Sequence, residues 1–112
     1  MRRLEVARRA RRDIDLILWT SHDRHGPRAA DRYRRLIAEA LSQLREDPAR
    51  ASSRSAGIGD LRLYALRVAG RAADPADRVG EPPHVVIYRF DDARVEIVRV
   101  LHEAMDLPGH LR

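Results

Sequence analysis

HVVIYRFDDARVEIVRVL, residues 84–101, is the stretch that decides the fold. Apolar side chains dominate its two halves, His84 to Phe90 and Arg94 to Leu101. Asp91 and Asp92 stand between the halves, in a position where short polar residues favour a tight turn. The stretch therefore predicts two antiparallel strands joined as a hairpin.

The register of this hairpin depends on the length of its turn. A two-residue turn places Phe90 opposite Ala93 and puts Arg89 and Arg99 on opposite faces of the sheet. A three-residue turn places Phe90 opposite Arg94 and puts both arginines on one face. The sequence pattern leaves both registers open.

The sequence before this hairpin predicts one more strand, which would make a three-stranded meander. The strand pattern occupies Arg62 to Val68. Between it and the hairpin lies a polar insert, residues 69–83, whose glycines and prolines predict a mobile loop. Residues 48–61 have a loop composition as well.

The N-terminal half predicts a short strand followed by two helices. Alternation over residues 2–7 indicates the strand, and apolar residues at helical spacing indicate helices over residues 7–22 and 27–46. Gly26 and Pro27 suit the end of one helix and the start of the next. The two helices are expected to form an antiparallel hairpin.

These elements predict a single α+β domain over residues 1–112, in the order β-α-α-β-β-β. A short N-terminal strand and an antiparallel helical hairpin would pack on a small antiparallel sheet. The helices must cover one sheet face, because neither layer can bury its apolar side alone. The other face is expected to stay open and to carry arginines.

Composition excludes several classes of protein. The 112 residues are 44% hydrophobic and 35% charged, and they include no cysteine. No disulfide framework, cysteine-ligated metal or membrane-spanning run is expected. The first twelve residues, MRRLEVARRARR, lack the apolar stretch of a secretory signal, so a cytoplasmic location is expected.

Charge points to an acidic partner. All 22 basic residues are arginines, and the formal net charge is +5. Guanidinium groups bind carboxylates and phosphates through paired hydrogen bonds. Nucleic acid, an anionic membrane surface or an acidic protein segment would each suit such a chain.

The motifs of common cofactor sites are missing from the sequence. Gly57-Ile58-Gly59 is too short for a phosphate loop and opens no helix. His22 and His25 lie three residues apart at a helix end without a third ligand nearby, which favours an exposed polar corner over a metal site. No cofactor and no metal are predicted.

Three arginines fall on or near predicted strands. Arg99 interrupts the apolar series of the last strand, and Arg67 and Arg89 lie on the other two. Each must find a carboxylate partner or line a solvent-filled cavity, and together they make a basic concave patch plausible. His102 follows at the end of the strand, where its imidazole would be placed for proton transfer.

Two large apolar residues, Leu16 and Trp19, lie off the main stripe of the first helix. Trp19 would be either the edge of the core or an anchor for a partner. Four arginines, Arg8, Arg9, Arg11 and Arg12, precede them. They form either a solvated face or a docking site for an acidic partner or phosphate.

The C-terminal residues resemble the ParE branch of the RelE/ParE toxin superfamily. The resemblance is carried by Tyr88-Arg89-Phe90-Asp91-Asp92, by Val98 to His102, and by the tail LHEAMDLPGHL over residues 101–111. The N-terminal half is consistent with it. Two features depart from the family pattern: the insert 69–83 is longer than usual, and Asp92 stands where glycine is common.

The resemblance implies the toxin of a type II toxin–antitoxin system, silenced by an acidic, ParD-like antitoxin in a hetero-oligomer. For the ParE branch it implies poisoning of DNA gyrase by binding, without chemistry. Arg99, His102, Met105 and Asp106 are then expected at the target surface. The antitoxin is expected on Leu16, Trp19, Arg8, Arg12, Tyr33 and Arg67.

Two alternatives stay open. A RelE-like endoribonuclease, which cuts mRNA on the ribosome, would use Arg67, Arg89, Arg99 and His102 for charge stabilisation and proton transfer. A non-toxic basic binding module would use the same surfaces without toxicity. The tail favours the ParE reading, because it has no tyrosine after His102.

Overall fold

The computed structural model describes residues 2–111, apart from the side chain of Asp77. Its strands and helices confirm the α+β class and the predicted order, with additions. They are β1 (Arg3–Val6), α1 (Arg8–His25), α2 (Pro27–Glu46), β2 (Arg54–Ser55), β3 (Arg62–Ala65), α3 (Leu66–Ala69), β4 (His84–Phe90), β5 (Arg94–His102) and α4 (Leu107–Leu111). Two short 3-10 turns, Gly70–Ala72 and Pro75–Asp77, lie between α3 and β4.

The described strands form one mixed sheet in the order β1-β5-β4-β3-β2. The meander of β3, β4 and β5 is antiparallel, as predicted. β1 instead runs parallel to β5, with Arg3 opposite Arg94 and Val6 opposite Ile97. The prediction of a purely antiparallel sheet is therefore wrong at this edge.

The two long helices cover one face of the sheet. The predicted apolar stripe of α2 is buried throughout, and the α1 residue Ala10 is buried beside it. Gly26 ends α1 with a φ of 88°, a left-handed backbone that glycine adopts without strain, and Pro27 begins α2. Tyr88 and Ile97 complete this core from the sheet.

The sequence predicted that the opposite face of the sheet would be open, and this prediction is wrong. It holds a second buried apolar cluster, which consists of Leu61, Leu63, Ala65, Val85, Ile87 and Leu101. Ile58 from the loop before β3 and Leu107 and Leu111 from α4 pack against it. A short C-terminal helix therefore covers the side that the helical hairpin leaves free.

The β4–β5 hairpin adopts neither of the two predicted registers. Phe90 lies opposite Val95, and the Asp91 N–H donates to the Arg94 carbonyl at 3.0 Å. The Asp91 carboxylate also accepts the N–H groups of Ala93 and Arg94, at 2.8 and 2.9 Å. The Asp91 side chain thus stabilises a turn at Asp92 and Ala93, one residue further along the chain than the predicted two-residue turn at Asp91 and Asp92.

A register shift interrupts the hairpin further along. Tyr88 lies opposite Ile97, whereas the next residue, Ile87, lies opposite Arg99. Val98 is therefore the extra residue of a bulge, which changes the face of every later β5 side chain.

The strand predicted from Arg62 to Val68 ends at Ala65 instead, because residues 66–69 form the short helix α3. The insert that follows contains the two 3-10 turns and packs on α2. Gln43 Nε2 donates to the Ala69 carbonyl at 3.2 Å, and a Cβ placed on Gly70 would meet Leu36 Cδ1 at 3.2 Å. The mobility of residues 69–83 stays a prediction.

Candidate functional site

An exposed apolar pair lies on the outer side of α1. Leu16 is 64% exposed and Trp19 is 66% exposed. The reading of Trp19 as a core-edge residue is therefore wrong. Arg8 and Arg12 are exposed on the same helix. The i, i+4 and i+3 spacings place Arg8, Arg12, Leu16 and Trp19 along one continuous face.

Arg99 is held by a carboxylate of α1. Its Nε donates to Asp13 Oδ2 at 2.7 Å and its Nη2 donates to Asp13 Oδ1 at 3.0 Å. The two side chains are 13% and 16% exposed, so this is a partly buried, bidentate pair. The hydrogen bond to Asp13 raises the pKa of Arg99, which keeps the guanidinium charged.

The same carboxylate caps an edge of the sheet. β1 pairs with β5 only from Arg94 to Ile97, and the Val100 N–H beyond this point donates to Asp13 Oδ2 at 3.0 Å. The sequence reading missed Asp13. A signal was available, because Asp13 lies three residues after the buried Ala10 and hence on the inward side of the helix.

The other two arginines also have carboxylate partners. Arg67 forms an ion pair with Glu103, and Arg89 Nε donates to Glu96 Oε1 at 2.7 Å. Arg67, Arg89 and Arg99 thus belong to three separate pairs. The structure does not bring them together as the basic concave patch that the sequence made plausible.

A chain of polar rings links α2 to the end of β5. The Tyr33 hydroxyl lies 2.6 Å from His84 Nδ1, and the His84 and His102 rings meet edge to face with centroids 5.5 Å apart. The Ala104 N–H donates to His102 Nδ1 at 3.0 Å. His84, which the sequence reading did not single out, is the middle member of this chain.

Burial determines the protonation of this chain. Desolvation raises the pKa of Tyr33, so its hydroxyl keeps its proton beside His84 Nδ1. Burial, with a smaller contribution from His102, lowers the pKa of His84 to about 4. His84 is therefore neutral near pH 7. Tyr33 itself is only 8% exposed, so it does not join the exposed set on α1.

A cleft of about 980 Å³ lies between α1, residues 78–83 and the end of β5. We call it the α1 cleft. Leu16, Arg99, His102 and Met105 all line it, so residues predicted for the antitoxin and for the target meet there. Met105 is 44% exposed. Asp106, the remaining predicted target residue, is exposed but does not line the cleft.

The described part of the chain contains neither a cluster of metal ligands nor a membrane-spanning helix. No group of three or more histidine, aspartate or glutamate side chains there could hold a metal ion, so His22 and His25 remain a pair at the end of α1. None of the helices within residues 2–111 has the length and apolar character needed to cross a bilayer.

Comparison with known proteins identifies the class. Residues 4–107 match the family model of the ParE toxin of type II toxin–antitoxin system, parDE. A curated relative, Toxin ParE1 of Caulobacter vibrioides, is 33% identical over 111 residues, which cover 99% of both chains. The chain thus belongs to the ParE toxin family of type II toxin–antitoxin systems.

Solved structures share the fold. A chain of the chromosomal ParDE TA system from P. aeruginosa superimposes with a TM-score of 0.70 at 19% identity, covering 91% of this chain and 96% of that one. A chain of the E. coli DinJ-YafQ toxin–antitoxin complex gives a TM-score of 0.53 at 15% identity, covering 95% of this chain and 97% of that one.

Proposed function

We propose that an acidic, ParD-like antitoxin neutralises this toxin by binding the exposed face of α1, and that the free toxin arrests growth in the cytoplasm by binding DNA gyrase. The observation that carries the antitoxin part is the exposure of Leu16 and Trp19 on one helix face. The gyrase part is supported by membership of the ParE family.

The α1 face has the make-up of a binding surface for an acidic segment. A tryptophan can bury about 150–250 Å² in an interface and is enriched among the residues that dominate binding energy. Arg8 and Arg12 precede the apolar pair on the same face, and no ion pair or hydrogen bond of their side chains occurs within the described residues. They are available to an acidic partner.

Binding without chemistry agrees with the state of the arginines. A nuclease would need guanidinium groups free to approach a phosphodiester. Arg99 is instead fixed on Asp13, and Arg67 and Arg89 each face a glutamate. The target contacts of β5 would then fall to His102 and, after it, Met105 and Asp106, whereas Arg99 supports the strand beneath them.

Neutralisation would follow from shared space. Leu16, an antitoxin residue in this proposal, and Met105, a target residue, line the same α1 cleft. An antitoxin segment that covers Leu16 and extends into the cleft would exclude the target from Met105 and His102. The antitoxin and gyrase would therefore bind in competition.

The antitoxin contact is tested by Trp19→Ala. We expect the affinity for the antitoxin encoded with this toxin to fall by about 2 kcal/mol, because an exposed anchor is lost without loss of core packing. Arg54→Ala, an exposed residue on β2, is the matched control and should leave the affinity unchanged. Equal affinity of Trp19→Ala and the control would remove α1 from the interface.

The target is tested by induced expression with separate readouts of DNA supercoiling and mRNA integrity. Arrested supercoiling with intact mRNA would support the gyrase proposal. The ring chain of Tyr33, His84 and His102 is the one feature that favours the RelE-like alternative. Specific mRNA cuts that disappear in His102→Gln would establish that alternative, and growth without arrest would point to a non-toxic binding module.

A further inference from the structure

A second cleft lies between α2 and the insert that follows α3, and it shares Arg32 and residues 78–82 with the α1 cleft. It has a volume of about 620 Å³, within the range of small-molecule sites. We call it the insert cleft. Its walls come from α2 on one side and from residues 67–73 and 78–82 on the other.

Three arginines of this cleft have no carboxylate partner among the side chains that the structure describes. Arg32 extends from α2, and Arg71 and Arg78 from the insert. Arg78 Nε donates to the Ala73 carbonyl at 3.2 Å, which holds the side chain in place. Its Nη1 and Nη2 have no hydrogen-bond partner among the described residues. By contrast, Arg67, which lines the same cleft, is paired with Glu103.

The remaining lining suits the organic part of a ligand. Leu36, Val79 and Pro82 supply apolar surface. Glu39 and Glu81 also line the cleft, and no ion pair joins either of them to Arg32, Arg71 or Arg78 within the described side chains. Glu39 Oε1 already accepts from Gln43 Nε2 at 3.1 Å, and the other carboxylate oxygens are acceptors that a hydroxyl or amino group could satisfy.

We propose that the insert cleft binds a small phosphorylated ligand of nucleotide size. Guanidinium groups on opposite walls would hold the phosphates in bidentate hydrogen bonds, since arginine matches phosphate geometry and keeps its charge. The apolar wall would contact the base, and the glutamates would accept hydrogen bonds from the sugar hydroxyls or a base amino group. A concave site of this volume favours a small molecule over a long nucleic acid chain.

The insert itself is built to hold these groups in place. Its backbone packs directly on α2, where Gly70 leaves 3.2 Å between a Cβ position and Leu36, and Gln43 binds the Ala69 carbonyl. Arg71 follows Gly70 immediately, so the contact that anchors the insert also positions the arginine.

The test is calorimetric titration of the full-length toxin with ATP, inorganic phosphate and adenosine. We expect ATP to bind more tightly than phosphate, and adenosine to bind least. The double variant R71Q/R78Q should weaken ATP binding about tenfold or more, since two charge-assisted contacts are lost. R9Q, which removes one exposed arginine of α1, should bind ATP like the wild type.

Thermal melting of each variant is the control for folding, and we expect the fold to be retained because Arg71 and Arg78 are exposed. Absence of ATP binding at low millimolar concentration would overturn the proposal, as would equal affinity for ATP and adenosine or equal loss in R9Q. A single-stranded oligonucleotide that binds through Arg71 and Arg78 where ATP does not would replace the small ligand with a nucleic acid.

Discussion

Arg99 has the sequence pattern of a site residue, but the structure pairs it with a carboxylate of α1. It interrupts an apolar strand, but its Nε and Nη2 both donate to the Asp13 carboxylate, at 2.7 and 3.0 Å. Removing it would leave a carboxylate that is 16% exposed with only the Val100 N–H as a partner. A partly buried charge without its counter-ion is costly.

Arg99→Ala is therefore expected to lower the free energy of unfolding by about 2–4 kcal/mol. Denaturant melts of the variant give this value directly. Arg89→Ala removes a partner of Glu96 in a pair whose arginine is 48% exposed, so it should cost less than about 1 kcal/mol. Similar losses in both variants would show that the Asp13 pair is no more than a surface contact.

His84 makes stability depend on pH. Its folded pKa of about 4 lies below the ordinary 6.5, chiefly because of burial and then of the neighbouring His102, with Asp13 and Glu103 acting the opposite way. Between these two values the unfolded chain binds a proton that the folded chain does not. This contribution to stability is therefore complete above pH 6.5 and is lost as the pH falls towards 4.

His84→Asn should remove this dependence, since the asparagine amide can still hydrogen-bond the Tyr33 hydroxyl and has no proton to gain. We expect the wild type to lose about 1–2 kcal/mol more than the variant on acidification, after allowance for solvent screening of a half-buried ring. Urea melts at several pH values measure the difference. Parallel curves for the two proteins would contradict the assignment.

At the scale of elements, α2 and β4 have the bounds that the sequence predicts, residues 27–46 and 84–90. Local sequence signals set these ends. Gly26 and Pro27 begin α2, Pro48 prevents its continuation, and the turn that starts at Asp91 ends β4. The spacing of their apolar residues is also a local signal, and it indicates which face of each element is buried. Local signals placed Leu16 and Trp19 off the main apolar stripe of α1, but only the structure decided that Trp19 is exposed.

The elements that the sequence missed depend on distant partners. The partner of β1 is β5, which lies about ninety residues further along the chain. No local pattern in the sequence indicates this partner or the parallel direction of the pairing. α4 contains Pro108 and Gly109, which argue against a helix, yet its leucines pack on the second apolar cluster. Asp13 and Arg99 are 86 residues apart, so their pairing was likewise out of reach.

The tip of the insert, residues 72–77, is expected to tolerate shortening. Replacing residues 72–77 with a short Gly-Ser linker should leave the fold intact and change the unfolding free energy by less than about 1 kcal/mol, because its described side chains there are exposed or half-exposed. The change keeps the buried Ala69 and the packed Val79. Thermal melting tests this, and loss of cooperative unfolding would show that the two 3-10 turns are structural.

At the scale of the whole molecule, the charge governs encounter with a partner. A net charge of +5 should attract an acidic antitoxin over distances that salt shortens. We expect the association rate constant, measured by stopped flow, to fall about tenfold between low and high salt. Trp19→Ala should keep this salt dependence and dissociate faster. A salt-independent association rate would mean that charge does not guide the complex.

The carboxylate that caps the Val100 amide has a consequence for the toxin as a solute. An open strand margin with a free N–H is a template on which a second copy of the chain can add its own strand, and this is how many sheet proteins begin to aggregate. Here Asp13 occupies that donor, and Arg99 balances the charge of its carboxylate. The outermost strands, β1 and β2, are only four and two residues long. Self-association through the sheet edges is thus disfavoured on both sides of the sheet.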